Sequence, residues 1–369
     1  MTTIRRLDGV PPLFVFRLVN AVRGFLVRLL RRMVPARVAM FEQFAGVWGT
    51  QMIYVAARLG IADLLATGPK TPEELAAASG AHPDSLARVL RALASIGIFA
   101  RARDGRYRLN RLAETLRADG PGSMRDIVLF LGSRHSMLGW THFLDAVKTG
   151  ESGFQIAHGK PVFDWLAEHP EEQATFQGGM ICMTELDAPG LVRGYDYSRF
   201  ATLCDVGGGR GTLLAAILSE NPGLRGVLFD TASVVETAPA VLRAWGVEER
   251  VRTVAGSFFD EVPGGCDAYV LKEILHDWDD ERCLAILGVC RRAMRPGATL
   301  LVMEMVLVDD DRPHPAKLLD MEMLDVTNRG RQRTAADFER LLEQTGFQLR
   351  RVVPLPSMPS VVESVAAVN

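Results

Sequence analysis

The sequence predicts an α/β protein whose seven-stranded sheet carries helices on both faces, preceded by a mainly helical front end. Three observations support this. From Phe200 onward, short apolar runs alternate with helical stretches, the signature of a largely parallel sheet. The segment Asp205-Val206-Gly207-Gly208-Gly209-Arg210-Gly211-Thr212 follows the first of those runs and opens a helix. Ahead of them, residues 61–109 read as helix, turn, helix and hairpin.

Composition narrows the class. The chain has 369 residues, 48% of them apolar, and a formal net charge of −2. A disordered chain would be poorer in apolar residues and richer in charge. A protein coated with nucleic acid would be basic throughout. Five cysteines in no paired spacing argue for a reducing compartment, the cytoplasm, over a disulfide framework.

Residues 1–40 form a basic arm, with eight arginines against the single acid Asp8. Leu13 to Met33 is apolar but interrupted by Arg17, Arg23 and Arg28, too broken to span a bilayer. An amphipathic helix fits, either lying on an anionic membrane surface or packed on a partner subunit with its arginines in water; the second is favoured.

Residues 41–115 form the next block. Phe41, Phe44, Val47, Trp48, Met52, Val55 and Leu59 recur at helical steps until Gly60. Thr71 caps a short helix with Pro72 at its first position. Pro83 opens a second helix striped by Leu86, Val89, Leu90 and Leu93. Asp104-Gly105 signals a two-residue hairpin turn between Ile98–Ala100 and Tyr107–Leu109. The whole is a winged helix. Its second helix offers only Arg88 and Arg91 as cations, too little to read base edges, so a scaffold role is expected and nucleic acid is not.

Residues 116–198 read as a helical segment rich in aromatic residues and methionine. Residues 199–369 hold the sheet, with strands at Thr202–Val206, Gly226–Phe229, Val251–Ala255, Ala268–Leu271, Thr299–Glu304, Phe347–Val353 and Val361–Ala366. Only Pro354 to Pro359 separates the last two, too short for a parallel crossover, so the final strand is expected to run antiparallel.

The glycines let a ligand approach the backbone at a helix N-terminus. Their spacing is Gly207-x-Gly209-x-Gly211, with Thr212 where a dinucleotide fold places its third glycine, and no P-loop lysine follows. This suits a cofactor without a pyrophosphate, such as S-adenosyl-L-methionine. Asp230, ending the second strand, is placed to accept ribose hydroxyls. His276 follows the fourth strand in Leu271-Lys272-Glu273-Ile274-Leu275-His276-Asp277-Trp278-Asp279-Asp280. Ligands of open α/β sheets bind outside such strand ends, and a histidine there is suited to take a proton. Cys283 and Cys290 fall on the apolar face of one helix, and with His276 they make no metal spacing; no metal is expected.

Together the LKEILHDWDDERC segment, the DVGGGRG loop, Asp230 and the winged-helix front resemble the caffeic-acid type small-molecule O-methyltransferases, in their bacterial natural-product branch, from about Phe41 to the C-terminus. The resemblance implies a class I methyltransferase domain with a Rossmann-like sheet, a winged-helix dimerisation domain, a homodimer and a small aromatic acceptor. It implies that Gly207, Asp230, Ser257, Phe258, Lys272, Trp278 and Thr184 bind S-adenosylmethionine, and that Phe176 and Met180 border the substrate. It implies His276 as general base, flanked by Glu304 and Gln332, with Asp277 helping to hold the substrate or the ring. Two positions depart from the family: Ser257 and Gln332 stand where it usually has acids. Gln332 can orient an imidazole but cannot stabilise its cation by charge, so a weak base and an acidic phenol or quinol acceptor are expected. The alternatives are a non-methylating relative on the same fold (a hydroxylase, decarboxylase or cyclase) and a winged-helix regulator.

Overall fold

The computed structural model describes residues 10–120 and 122–367. By internal contacts the chain forms two units, one of Met1–Asn20, Gly139–Val162 and Thr184–Asn369, the other of Ala21–Leu138 and Phe163–Met183. The helical stretch 116–198 is thus divided between them.

In the second unit, Thr71 and Glu74 form a reciprocal capping box, with Pro72 at the first helical position of Pro72–Ser79. The Pro83–Ser95 helix buries Leu86, Leu90 and Leu93 against Ile61, Leu65 and Leu75. The hairpin pairs β1 (Ala100–Arg101) with β2 (Tyr107–Arg108). Its turn departs from the two-residue reading. Ala102 N–H bonds Arg106 O at 2.8 Å, which leaves a three-residue loop with Gly105 at φ +85°. Glycine in the left-handed position is what such a loop requires.

The first unit carries a seven-stranded sheet of β3 (Thr202–Val206), β4 (Arg225–Asp230), β5 (Val251–Ala255), β6 (Ala268–Lys272), β7 (Thr299–Glu304), β8 (Phe347–Val353) and β9 (Ser360–Ala366). Their order is β5-β4-β3-β6-β7-β9-β8. The first five run parallel, and β9 inserts antiparallel between β7 and β8, as the short link demands. Every residue of β7 is buried, because apolar clusters cover both faces of the sheet. Leu213, Leu214 and Ile217 lie on one face; Ile286, Leu287 and Phe338 lie on the other. Cys283 and Cys290 belong to the second cluster.

The chain leaves β3 for β4 on one side of the sheet and later returns to β6 on the other. The strand order therefore reverses between β3 and β6, and a crevice opens at their C-terminal ends. The glycine loop follows β3 and His276 follows β6, so both face that crevice.

Candidate active site

Past the end of β6 the chain enters a tight turn, Leu275–Asp277, before the Asp280–Ala293 helix. Glu273 enters the turn at φ +50°, a conformation a bulky side chain rarely adopts. Its carboxylate lies 2.7 Å from Lys272 Nζ. Sequence reasoning passed over this residue, because strain is not written in residue identity.

The imidazole of His276 is buried between two side chains. Gln332 Nε2 lies 2.8 Å from Nδ1, and Asp277 Oδ1 lies 3.6 Å from Nε2. Glu304 is placed differently from the flanking position the resemblance implied. Its Oε1 accepts the backbone N–H of Leu275 at 2.7 Å and of His276 at 3.2 Å. At the end of β7, directly beside β6, the carboxylate meets the main chain of the turn. It holds the loop, while Gln332 and Asp277 flank the ring.

A further anchor is Arg333, 1% exposed. It donates to Leu275 O at 2.7 Å, Trp278 O at 2.8 Å and Asp280 Oδ1 at 2.9 Å. No periodicity or motif singled it out. Gly330 lets this segment pass: any Cβ there would overlap Thr327 Oγ1 and the carbonyl oxygen of His276.

Burial pushes His276 down to about 4, with the nearby Glu273 charge opposing and Lys272 and Arg333 adding to the fall. The ring is therefore neutral near pH 7. Burial, then the charges of Glu304 and Glu273, hold Asp277 well above the usual carboxylate range. Burial also pushes Glu304 up to about 7, against the pull of Arg333. In the orientation described, Gln332 Oε1 is buried without a partner among the described residues. Turned over, the amide oxygen accepts Nδ1–H and leaves the Nε2 lone pair free. The two orientations of an amide have the same shape, and only the second makes Nε2 a base.

Across the crevice, Gly207 adopts φ +71°, and a Cβ there would come 2.5 Å from Ile274 Cδ1. Asp230 Oδ2 accepts Gly209 N–H at 2.8 Å, and Oδ1 accepts Thr231 N–H at 2.7 Å. Burial raises Asp230, and these donors oppose the shift. Trp278 meets Phe259 edge-on at 4.9 Å and Phe258 at 6.4 Å, and the Arg282 guanidinium lies 5.1 Å from the Trp278 ring centroid. Ser257 Oγ accepts Phe259 N–H at 3.2 Å. The structure so gathers Ser257, Phe258 and Trp278, and adds Phe259 and Arg282 to them.

Lys272 has two further buried acids within electrostatic reach. Asp205 Oδ2 and Asp187 Oδ2 are buried without partners among the described residues. Burial pushes both up to about 7, and Lys272 opposes the shift at each. Thr184 is half-buried in the Pro170–Gly194 helix. Phe176 and Met180 occupy the same helix, in the second unit, where Phe176 lies edge-on 5.1 Å from Phe130. No cluster of three metal-ligating side chains occurs among the described residues.

An open sheet with a glycine cradle on one side of its switch point and a buried neutral histidine on the other has the architecture of a class I methyltransferase. A model of the O-methyltransferase domain matches residues 140–348, and one of the O-methyltransferase dimerisation domain matches 41–119. The chain belongs to the O-methyltransferase family. It is 43% identical to the phenazine O-methyltransferase PhzM of Lysobacter antibioticus over 90% of this chain and 96% of that protein. It is 39% identical to the 3-amino-4-hydroxybenzoate 4-O-methyltransferase of Streptomyces cremeus, over 86% and 87%. The crystal structure of LaPhzM superimposes with a TM-score of 0.87 at 42% identity, covering 90% of this chain and all of that one.

Proposed function

We propose that this chain moves a methyl group from S-adenosylmethionine to a hydroxyl of a small aromatic acceptor, with His276 as the base. The observation that carries this reading is the buried, neutral imidazole at the switch point, held by Gln332 on Nδ1. Bacterial relatives named for a phenazine and an aminohydroxybenzoate support a small aromatic acceptor. A relative named as an N,N-dimethyltransferase of an aminoriboflavin, 35% identical, keeps nitrogen acceptors within the family's reach.

The crevice fits the cofactor. Two orphaned carboxyl oxygens, on Asp187 and Asp205, beside buried Lys272 suit the ammonium and carboxylate of a methionyl group. The bare Cα of Gly207 lets Ile274 close against the loop. Asp230 suits ribose hydroxyls, and Ser257, Phe258 and Trp278 suit an adenine. The bound sulfonium supplies an already activated methyl. What remains for the protein is placement and proton removal. Asp277 steadies the ring, and Glu304 and Arg333 fix the main chain that carries it. His276 Nε2 would take the proton of the acceptor hydroxyl as its oxygen receives the methyl group.

The working form is a cytoplasmic homodimer. The Leu13–Arg32 helix buries none of its residues, and Phe14, Leu18, Phe25 and Leu30 are exposed along it. A second copy covering this stripe leaves the arginines in water. Among the described residues no helix is long and apolar enough to cross a membrane. Removing residues 1–39 is expected to weaken the dimer in sedimentation. Equal dimer strength, with loss of binding to anionic vesicles, assigns the arm to a membrane instead.

Mass spectrometry tests the reaction. Protein, S-adenosylmethionine and a panel of phenols, hydroquinones and aminophenols should yield S-adenosylhomocysteine and a product heavier by one methylene. Tight cofactor binding without either product would point to a non-methylating relative.

A further inference from the structure

The turn after β6 carries an acid that the mechanism above does not use. Glu273 adopts φ +50°, a costly conformation for a residue with a side chain. Its surroundings hold it there. Glu273 N–H donates to Met303 O at 3.0 Å, which extends the pairing of β6 with β7. Glu304 accepts the next two free N–H groups, of Leu275 and His276, and Arg333 donates to the Leu275 carbonyl. Strain of this kind survives only where the packing over-determines it, and it clusters at reacting centres.

The charged groups around His276 come from four elements. β6 ends in Lys272 and Glu273, the turn adds Asp277, β7 ends in Glu304, and the segment before the Ala335–Gln344 helix supplies Arg333. The three acids among them differ. Burial holds Asp277 well above the usual carboxylate range and pushes Glu304 up to about 7. Glu273 goes the other way. Burial raises it too, but the Lys272 ammonium at 2.7 Å and the charge that His276 can take on outweigh burial, and the carboxyl lies below its ordinary value. Glu273 is therefore an anion across the neutral range. It is also the acid whose charge raises His276, against Lys272 and Arg333.

A neutral imidazole that takes a proton becomes a buried cation, which is costly without an anion in reach. Gln332 offers the ring a dipole and no charge. Glu304 is turned to the main chain. We propose that Glu273, paired with Lys272 in the strained turn, is the acid that stabilises His276 as the ring takes the acceptor's proton. It acts through the histidine and so is a positioning residue. In a buried site such a charge acts over several ångströms with little screening. This rests on the methyltransferase reading above, and the proton follows the same path, from the acceptor hydroxyl to Nε2.

Two acceptors test this, 1-naphthol and the more acidic 4-nitro-1-naphthol. Glu273→Gln keeps the size of the side chain and removes its charge. The kcat is expected to fall about tenfold or more on 1-naphthol and only a few-fold on the nitro compound, which needs a weaker base. Adding Gln332→Glu returns an anion from the other side of the ring and should restore most of the rate on 1-naphthol. A carboxylate that merely neutralises Lys272 gives equal losses on both naphthols and no rescue, which overturns the proposal. Titration of the His276 ring by NMR needs no acceptor. In the Gln332→Glu background, Glu273→Gln should lower the ring's proton affinity about tenfold, and an unmoved titration overturns the proposal. If Glu273→Gln does not fold with Lys272 left unpaired, Lys272→Met together with Glu273→Gln removes both charges. The affinity should still fall, because Glu273 outweighs Lys272 at the ring. S-adenosylhomocysteine formation reads the underlying function separately. If it forms while the titration is unmoved, only this inference falls; if it forms with no phenol at all, both fall.

Discussion

On the β3–β4 side of the sheet, Asp230 is fixed by the N–H groups of Thr231, its neighbour, and Gly209, in the loop ending the adjacent strand. On the β6–β7 side, His276 is fixed by Gln332, 56 residues away, and its turn by Glu304 and Arg333. The first arrangement is made of backbone and demands glycine and a strand-end acid. The second is made of side chains that only the folded chain brings together. A main-chain cradle tolerates change except at its glycines and its strand-end acid. A side-chain cage fails when any one member is lost, because the others are left buried and unpaired.

The largest effect should come from the cage's centre. His276→Ala is expected to lower kcat by about 10²–10⁴-fold while calorimetry shows S-adenosylmethionine still bound. A rate within a few-fold of wild type would remove the histidine from the mechanism. Next, Arg333→Met leaves the carbonyls of Leu275 and Trp278 without their donor. A loss of about 3 kcal/mol is expected in urea unfolding, with kcat falling more than cofactor affinity. Equal losses in both would erase the distinction between the two sides.

On the other side, Gly207→Ala meets Ile274 and an unfavourable φ. It should weaken cofactor binding by about tenfold or more, and the strain of about 1–3 kcal/mol should also lower the melting temperature by a few degrees. The smallest effect sharpens the contrast. The base-competent form of His276 is the neutral one, and with its pKa at about 4 the ring stays neutral down to pH 5. The rate should therefore be level between pH 5 and 7, where an ordinary histidine would lose activity below about 6.5. Gln332→Glu sets an anion beside the imidazolium, which raises the pKa. The acid limb should move to higher pH, with a gain of a few-fold on weakly acidic phenols. An unshifted profile would mean that Gln332 does not face the ring.

Much of the molecule was legible beforehand. Strand periodicity, the Thr71 capping box and the short Pro354–Pro359 link led to the sheet and its antiparallel last strand, because these signals are local. The hairpin turn was one residue longer than the Asp104-Gly105 pair suggested, since loop length depends on which strand residues pair. At the site, the glycine spacing, Asp230 and His276 stood out as residues placed at strand ends.

What sequence alone determined was therefore the order of elements and the chemistry available at each strand end, both set by neighbours along the chain. Tertiary structure decided the rest. It turned Glu304 toward the backbone of the His276 turn, buried Arg333 as that turn's clamp, and set Asp325 against Gly139 and Gly153 with no partner among the described residues. Each of these depends on desolvation and close approach between segments distant in sequence, and burial and partnership of that kind belong to the packed molecule alone.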